Sequence, residues 1–365
     1  MSGGDPGERL DALRGEIDAL DDGILDLLQR RAGKALEVAR VKEAEGRASF
    51  YDPERERRIV ERLTRPGSGP LSASAVRSVF REIISACLSL QQPLRVAYLG
   101  PEGTFSQLAA RRLFGQAAAY WDATTIEGVF DAVARGDASR GVVPVENSAE
   151  GPVLMTVRAL LQNDLLIERE MVLEVTHCLL TRASSLPSIA RVYSHPQALA
   201  QCGLWLQRNL PGVPAIQTSS TSAAVLDALG DPAGAALGSK LAGDLYGLAT
   251  LCENVQDNHD NATRFLVIGK HDARPTGDDK TTLAFRLDDG PGALRRALGA
   301  FEEEGISLSR IESHPSREKA WGYVFLCDLL GHREDARVSA ALERLRERAE
   351  WVKMLGSYPR FKKVS

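Results

Sequence analysis

The sequence predicts three successive domains of different fold class: an all-α segment, an α/β segment and a ferredoxin-like α+β segment. Three observations predict this order. Residues 6–45 carry apolar side chains at alternating three- and four-residue steps, which is typical of a long helix. From Leu94 onwards, short apolar runs alternate with helical stretches, as in α/β proteins. Residues 281–355 give the element order βαββαβ.

Two polar stretches mark the boundaries between these domains. The helical pattern stops at the QQP sequence of residues 91–93, and the stretch DARPTGDDK at Asp272–Lys280 has the composition of a linker. We therefore assign residues 1–92, 93–271 and 280–365 to the three domains, a division that suits a chain of 365 residues.

The composition excludes several classes of protein. A net charge of -4 argues against a general nucleic-acid binder, because such proteins carry a basic excess. No apolar run is long enough for a membrane span, and the polar N-terminus lacks the pattern of a secretion signal. The five cysteines stand singly without a histidine cluster, which predicts free thiols and no metal site. We expect a cytoplasmic protein without a cofactor and without nucleic-acid or membrane partners.

The N-terminal segment begins with a long helix, which Asp5 can cap and whose first turn suits Pro6. Its apolar seam consists of Leu10, Leu13, Ile17, Leu20, Ile24 and Leu27. A helix from Pro6 to Glu45 is about 60 Å long, and the rest of the segment is too short to cover it. We therefore expect a partner chain to cover the seam.

Two cations continue this seam. Arg31 and Lys42 are eleven residues apart, so they differ by only about 20° around the helix. Cations on an inward face are costly unless anions meet them, so the pair indicates a site for an acidic ligand. Arg14 lies about 100° away and suits a different site, on the partner chain. The alternative is a helical dimerisation module whose arginines extend to water.

Residues 10–92 resemble the all-helical chorismate mutase family in the motifs LRxxIDxLD, LLxRR, DPxRE and a terminal SLQ. A second helix begins at Asp52-Pro53 and a third near Ser72. The resemblance implies an intertwined homodimer in which Arg14 serves the partner's site, and it leaves open whether dimers pair into tetramers. By position, the mutase site consists of Arg14, Arg31, Lys42, Asp52, Arg55, Glu56 and Gln91.

These residue types suit the rearrangement of chorismate, which carries two carboxylates and an ether oxygen. The step is unimolecular and needs a held conformation and stabilised charge, but no proton transfer. Arginines pair with carboxylates through their planar fork. We assign Lys42 and Gln91 to catalysis at the ether oxygen and Glu56 to the substrate hydroxyl.

In the middle segment, glycine-rich turns follow predicted strands. Leu94–Leu99 leads into GPEGTFSQ, where Thr104 or Ser106 can cap a helix, and Gly141–Val145 leads into ENSAEGP. Such turns let backbone N–H groups face an anion, but the glycine spacing fits neither a Rossmann fingerprint nor a phosphate loop. The histidines and serines of this segment suggest a serine hydrolase as an alternative. No GxSxG elbow is present, however, and His195 suits a helix cap, so we do not expect a hydrolase.

Residues 95–268 resemble prephenate dehydratase through the ordered motifs GPEGTFS, VPVENSAEG, THCLL, SHPQALAQC, SSTSAA and NATRFLVI. The family implies two α/β lobes, periplasmic-binding-protein-like, with the site in the cleft between them. Mapped onto this chain, the site consists of Thr104, Ser106, Asn147, Ser148, Ser220, Thr221, Thr263, Arg264 and Phe265.

The family assigns the central catalytic role to Thr263. Prephenate loses carbon dioxide and hydroxide to become aromatic, so the difficult part is the departure of hydroxide. Thr263 would donate a proton or a strong hydrogen bond there, and a polar network must assist it because threonine is a poor acid. Arg264 would hold a carboxylate. The alternatives are arogenate as the substrate, or a catalytically silent two-lobed binding protein.

The C-terminal segment has strands at Thr281–Leu287, Ile306–Ser313, Tyr323–Leu329 and Trp351–Leu355, with helices at Gly292–Glu304 and Asp335–Ala349. It resembles an ACT regulatory domain, which implies L-phenylalanine as the effector. The motifs PGAL and ESHP place the effector residues at Gly292, Ala293, Leu294, Glu312, Ser313, His314 and Pro315. His314 stands where most members of the family have arginine. A dimerisation domain without a ligand is the alternative.

Overall fold

The computed structural model describes residues 6–45, 53–64, 69–316 and 322–361 and contains two compact units. One unit comprises Met1–Leu94 with Phe114–Ala118, and the other comprises Arg95–Leu113 with Ala119–Ser365. The predicted middle and C-terminal domains therefore belong to one unit. In the described part of the chain, no helix has the length and apolar character needed to cross a bilayer.

The first unit is helical, as the sequence predicts. Its helices are α1 (Pro6–Ala44), α2 (Pro53–Leu63) and α3 (Ala73–Gln91). The hydroxyl of Ser72 caps α3 by accepting a hydrogen bond from the backbone N–H of Ala75 at 3.2 Å. The prolines at the start of α1 and α2 suit a first turn, where a missing N–H costs nothing.

One face of α1 packs within the chain, and only in the second half of the helix. Leu28, Ala35 and Lys42 are half-buried there, and Ala39 is buried. Their spacing of three, four and seven residues defines one helix face. Along the first half of α1 the apolar seam, Leu10 to Leu27, is 49% to 66% exposed. A stripe of this size normally marks an interaction surface.

The second unit begins with an α/β lobe. Before the chain passes to a second lobe, it forms β1 (Arg95–Leu99), α4 (Phe105–Phe114), β2 (Ala119–Ala123), α5 (Ile126–Arg135), β3 (Arg140–Asn147), β4 (Gly151–Pro152), α6 (Leu154–Gln162) and β5 (Leu166–Glu174). The predicted strands at Leu94–Leu99 and Gly141–Val145 are confirmed as β1 and β3.

The chain then builds a second lobe. Its elements are β6 (Cys178–Thr181), β7 (Arg191–Ser194), α7 (Pro196–Gln201), α8 (Gly203–Asn209), β8 (Ala215–Gln217), α9 (Thr221–Gly230), β9 (Gly234–Gly238), α10 (Lys240–Tyr246) and β10 (Ala249–Cys252). The five strands form a sheet in the order β10-β6-β9-β7-β8.

The chain returns to the first lobe through β11 (Ala262–Gly269), which completes the sheet order β2-β1-β3-β11-β5. Two short segments, residues 175–177 and 253–261, therefore connect the lobes. They bind each other, because the backbone N–H of Val255 donates to the carbonyl of His177 at 2.9 Å and that of Val175 to Asn261 at 2.9 Å. The two-lobed α/β fold is thus confirmed.

The last part of the chain forms the predicted βαββαβ domain. It consists of β12 (Asp279–Arg286), α11 (Ala293–Glu302), β13 (Leu308–Pro315), β14 (Tyr323–Leu330), α12 (Ala336–Arg348) and β15 (Trp351–Pro359). The antiparallel sheet has the ferredoxin-like order β13-β14-β12-β15. β15 runs four residues beyond the predicted end at Leu355, because β12 pairs with it as far as Pro359.

This C-terminal sheet packs directly on the first lobe. Phe130 and Ile167 of the lobe belong to the same buried cluster as Leu326 and Leu355 of the sheet. Gly356, at φ +146°, approaches the backbone of Ile167 so closely that any Cβ would clash with it. Glycine is therefore needed at this crossing of β15 and β5, and the close contact explains why both domains form one unit.

Candidate active sites

In the helical unit, the structure brings two predicted mutase residues to one face of α1. Arg31 is half-buried, and its Nη1 lies 3.5 Å from the carbonyl oxygen of Ile83 in α3. Lys42, also half-buried, follows on the same face. Gln91 is half-buried at the last position of α3. Both cations therefore lie on the inward face that the sequence indicates.

The remaining mutase candidates lie elsewhere in this unit. Arg14 has a side chain that is 66% exposed and pairs with Asp11 at 3.3 Å, so it serves no enclosed site of its own chain. In the first turn of α2, Arg55 is exposed and Glu56 is half-buried. Asp52 lies outside the described residues.

Sequence reasoning overlooked Glu54, which is buried in α2. Its carboxylate pairs with Arg57 at 2.7 Å and with Arg58 at 2.6 Å. Burial by itself raises the pKa of Glu54, but hydrogen bonds from both arginines lower it to a net value below the usual range. The spacing i, i+3, i+4 in PERERR was the available signal.

In the two-lobed part, β11 and β3 bring the two central dehydratase candidates together. Thr263 lies opposite Asn147 in the antiparallel register. The Nδ2 of Asn147 donates to the Oγ1 of Thr263 at 2.9 Å, and both residues are largely buried. The hydroxyl of Thr263 is thus an acceptor toward Asn147, and its hydrogen remains for another partner.

The Asn147 amide is itself held by the loop that follows it. Its Oδ1 accepts from the backbone N–H of Ala149 at 3.0 Å and of Glu150 at 3.2 Å. Ser148 fastens the same loop to β11, since its hydroxyl accepts from the backbone N–H of Ala262 at 3.0 Å. The ENS motif therefore forms a rigid support for Thr263.

The GTFS motif joins the first lobe to the second. Gly103, at φ +83°, lies so close to Ala242 in α10 that a Cβ would come within 2.9 Å of it. The carbonyl of Gly103 accepts a hydrogen bond from Ser239 at 2.6 Å. Thr104 precedes α4, and its hydroxyl donates to Leu99 at 3.1 Å. The hydroxyl of Thr104 also accepts a hydrogen bond from the N–H of Gln107 at 3.4 Å, and this contact supports the predicted capping role.

The remaining predicted side chains have ordinary structural environments. Ser220 caps α9, since its hydroxyl accepts from the N–H of Ala223 at 2.9 Å, and Thr221 is the first residue of that helix. Ser106 is buried in the first turn of α4, and Phe265 is buried in β11. Two helix N-termini, of α4 and α9, therefore carry hydroxyl residues that suit an anionic ligand.

The structure corrects the expectation for Arg264. Successive side chains of a strand point to opposite faces, so Arg264 faces away from the side occupied by Thr263. Its guanidinium pairs with Glu170 at 2.8 Å and with Asp328 at 2.7 Å. Burial lowers the pKa of Arg264, but Tyr358 and these carboxylates raise it above the ordinary arginine value. The guanidinium of Arg264 is therefore paired with carboxylates of the protein rather than with a substrate.

A chain of polar residues behind Thr263 was missed by sequence reasoning. It comprises Asn261, Gln201 and His177, which are linked to Asn147 by hydrogen bonds of 2.9 to 3.1 Å. Gln201 and Asn261 lie within the motifs SHPQALAQC and NATRF, so the sequence marked both residues. It did not indicate that they bond to each other. His195, in contrast, caps α7 as predicted, with its ring accepting from the N–H of Gln197.

The effector motifs lie at the start of α11 and in β13. Gly292 adopts φ +76° as the residue that precedes α11, a conformation that favours glycine. In α11, Ala293 is buried and Leu294 is 37% exposed. In β13, Glu312 is half-buried and accepts from the ring of buried His314 at 3.1 Å.

The two exposed residues of the second motif, Ser313 and Pro315, alternate with Glu312 and His314 along β13. The effector motifs therefore offer both a buried polar pair and an accessible rim. Over the described residues, no group of three His, Cys, Asp or Glu side chains is arranged to hold a metal ion.

In comparison with known proteins, three family models match successive parts of the chain. The chorismate mutase type II family matches residues 13–92, the prephenate dehydratase family residues 96–273 and the ACT domain family residues 281–347. A bifunctional chorismate mutase/prephenate dehydratase from Aquifex aeolicus is 46% identical over 97% of this chain and 98% of its own. The chain belongs to the bifunctional chorismate mutase/prephenate dehydratase family.

Two solved structures are similar to this chain over 73% of its length. A prephenate dehydratase from Arthrobacter aurescens in complex with L-Phe is 36% identical, with a TM-score of 0.68 over 73% of this chain and 90% of that one. A protein described as a quorum-quenching acylase, GqqA, is 31% identical, with a TM-score of 0.67 over 73% of this chain and 97% of that one.

Proposed function

We propose that this chain converts chorismate to prephenate and prephenate to phenylpyruvate in the biosynthesis of L-phenylalanine, and that L-phenylalanine regulates it. The two activities belong to separate units of the molecule. The observation that carries the proposal is the hydrogen bond from Asn147 to Thr263, which leaves the threonine hydroxyl as a donor. The proposal also includes a cytoplasmic location for the protein and the absence of a cofactor.

The mutase step needs only positioning and charge. Arg31 and Lys42 on the inward face of α1 would hold the carboxylates and the ether oxygen of chorismate, with Gln91 as a second donor to that oxygen. Arg55, Glu56 and Asp52 would complete the pocket from α2 and the segment before it. Because Arg14 is exposed in its own chain, we assign it to the site of a second copy.

A homodimer is therefore part of the proposal. Two copies of α1 lying together would cover the exposed apolar seam, and each buried leucine or isoleucine would contribute about 1.5–3 kcal/mol. The same arrangement would bring the Arg14 of one copy to the site of the other. The mass in solution distinguishes a dimer from a tetramer.

In the dehydratase step, Thr263 would donate a hydrogen bond to the hydroxyl that leaves prephenate. The bond from the ring carbon to the carboxylate breaks, its electron pair completes the aromatic ring, and carbon dioxide departs. The bond to the hydroxyl breaks in the same event, and the departing hydroxide takes up a proton from the solvent to become water. The helix N-termini at Thr104, Ser106, Ser220 and Thr221 would hold the substrate's anionic groups.

The effector would bind at the two ACT motifs, with Leu294 contacting its ring and the backbone of Gly292 and Ala293 meeting its polar end. Glu312, Ser313, His314 and Pro315 would form the other side of this site. Regulation follows if the effector binds one conformation of the chain better than another.

One experiment tests the whole proposal. The protein is incubated with chorismate, and prephenate and phenylpyruvate are followed with and without L-phenylalanine. We expect both products, and less phenylpyruvate when L-phenylalanine is present. Parallel assays with prephenate and arogenate distinguish the dehydratase from its arogenate-specific alternative. Binding of prephenate without turnover would instead establish the silent binding protein.

A further inference from the structure

The polar residues behind Thr263 form a chain of hydrogen bonds whose direction is fixed at its start. Asn147 accepts two backbone N–H groups at Oδ1, so its Nδ2 must be the donating end of the amide. This Nδ2 donates to Thr263 Oγ1 and to Asn261 Oδ1, both at 2.9 Å. Since Asn261 accepts at its oxygen, its own Nδ2 is turned toward the next member.

The next member is Gln201, which comes from the second lobe at the end of α7. Its Oε1 accepts from Asn261 Nδ2 at 3.1 Å. Its Nε2 donates to the carboxylate of Glu150 at 3.1 Å. A carboxylate can only accept, so this second contact independently requires the same orientation of the Gln201 amide.

The direction of the chain then determines the protonation of His177. Its Nε2 lies 3.0 Å from Gln201 Oε1, an oxygen that can only accept, so Nε2 carries the hydrogen. His177 is 2% exposed, and the Nδ1 of its ring has no hydrogen-bond partner in the described parts of the chain. The ring of Phe105 meets it edge to face at 5.5 Å.

We propose that His177 and Asn261 are positioning residues of the dehydratase, which hold the hydroxyl of Thr263 as a hydrogen-bond donor through a chain of fixed direction. The proposal rests on the proposed function, because it concerns the same reaction. Neither residue needs to touch the substrate. His177 acts as the neutral Nε2–H tautomer, and burial supports this by lowering the pKa of its ring.

The physical role of the chain follows from the atoms that it occupies. Asn147 uses a lone pair of the Thr263 oxygen, so the hydroxyl hydrogen is free to turn toward the leaving group. Reversal of any amide in the chain would place two acceptors or two donors face to face. His177 prevents reversal of Gln201 by supplying a second donor to the same oxygen. The chain also joins α7 of the second lobe to the loop after β3, through the hydrogen bond from Gln201 to Glu150.

The first test is Asn261→Asp, which keeps the size and the oxygen that faces Asn147 but replaces the donor that faces Gln201 by an acceptor. We expect the dehydratase kcat to fall by about 100-fold, the loss typical for one preorganised donor, while KM changes less than threefold. Asn258→Asp is the matched control. It makes the same chemical change three residues away at an exposed side chain whose oxygen accepts from the N–H of Asp260.

The second test compares two variants of His177. Glutamine places an amide N–H near the position of Nε2, so His177→Gln should retain at least a third of the wild-type kcat. His177→Leu removes the donor and should lower kcat by about tenfold or more at unchanged KM, consistent with the loss of one assisting hydrogen bond. Equal losses in both variants, or none in either, would overturn the positioning role of His177.

A third test uses the wild-type protein, so it does not depend on whether a variant folds. The ¹⁵N spectrum of the imidazole should show Nδ1 as an unprotonated nitrogen and Nε2 as a protonated one at pH 7. The opposite tautomer would break the chain and sink the inference. If Asn261→Asp kept a kcat within twofold of the wild type, the chain would have no part in turnover. A wild-type protein that leaves prephenate unchanged would instead refute the proposed function, whatever the spectrum shows.

Discussion

Arg310 of the C-terminal sheet lies 3.3 Å from the carboxylate of Glu146, the residue that immediately precedes Asn147. The same guanidinium pairs with Glu312 of the second effector motif at 2.7 Å. Both carboxylates therefore share one largely buried cation. A continuous set of ion pairs thus joins the effector motif to the strand that supports Thr263.

The first prediction concerns this link. Arg310→Met keeps an unbranched stem of similar volume but removes the guanidinium, and with it the charge that Glu146 and Glu312 share. Because an effector acts only through contacts that differ between conformations, we expect the L-phenylalanine concentration for half-inhibition to rise about fivefold to tenfold. The measurement is an inhibition curve with prephenate.

The control for this prediction is Arg346→Met in the last turn of α12, an exposed arginine that lies outside both effector motifs. It should leave the inhibition curve where it is. An unchanged curve for Arg310→Met would show that regulation follows another route, such as the apolar contact between β15 and β5.

The second prediction separates the two activities. Arg31→Ala should lower mutase kcat/KM by about 1000-fold, which corresponds to ~4 kcal/mol, because a carboxylate of the substrate loses its charged partner. Dehydratase activity measured with added prephenate should be retained. Arg30→Ala is the control, since Arg30 has a 73% exposed side chain that pairs with Asp26 on the outer surface. Comparable mutase losses in both variants would contradict the assigned role of Arg31.

The third prediction tests the partner chain on the seam of α1. Leu20, 66% exposed in the single chain, would be buried in a dimer, so Leu20→Asp should weaken self-association at least 100-fold, because a charge would enter an apolar contact. Mutase activity should fall with it, since the proposal assigns Arg14 to the site of a second copy. Sedimentation and the mutase assay on the same samples provide the measurement.

Gln29→Asp introduces the same charge on roughly the opposite side of α1, at an exposed position. It should leave both mass and activity unchanged. A Leu20→Asp protein that keeps the wild-type mass would show that the seam serves another purpose.

The fourth prediction concerns the hydroxyl of Thr263. Thr263→Ala removes it and should reduce dehydratase kcat by at least about 1000-fold, within the range attributed to a positioned acid. Thr263→Ser keeps the hydroxyl and should recover much of this loss. Mutase activity serves as the internal control, and near-normal phenylpyruvate formation by Thr263→Ala would refute the role.

The fifth prediction follows from the buried ring of His177, whose pKa lies below the ordinary value of 6.5. At a pH below 6.5 the unfolded chain binds a proton that the folded ring resists, so folding loses stability as the pH falls through this value. Between pH 7.5 and 5.5 the loss should be on the order of 1 kcal/mol.

His177→Gln removes this proton linkage, so its thermal stability relative to the wild type should improve as the solution becomes more acidic. The melting transition that abolishes dehydratase activity provides the measurement. An identical pH dependence for the wild type and His177→Gln would mean that the folded ring titrates normally.

The sequence predicted the elements of this fold well where periodicity is strong. The unbroken seam from Leu10 to Leu27 predicted α1, and the alternation of strands and helices predicted the last domain. It failed at the end of β15, where Gly356 carries no side-chain pattern and only pairing with β12 extends the strand. It also assigned Arg264 to the substrate, because adjacent motif residues look equivalent until the strand separates them onto two faces.

The sequence by itself determined which residues are available for chemistry, since residue type and local order decide charge, capping and strand or helix formation. It thus identified Arg31, Lys42, Asn147 and Thr263 as candidates. Only the tertiary structure decided which of them meet. Hydrogen bonds such as that from Asn147 to Thr263 join residues more than one hundred positions apart, and their direction depends on backbone donors that no side-chain pattern reveals.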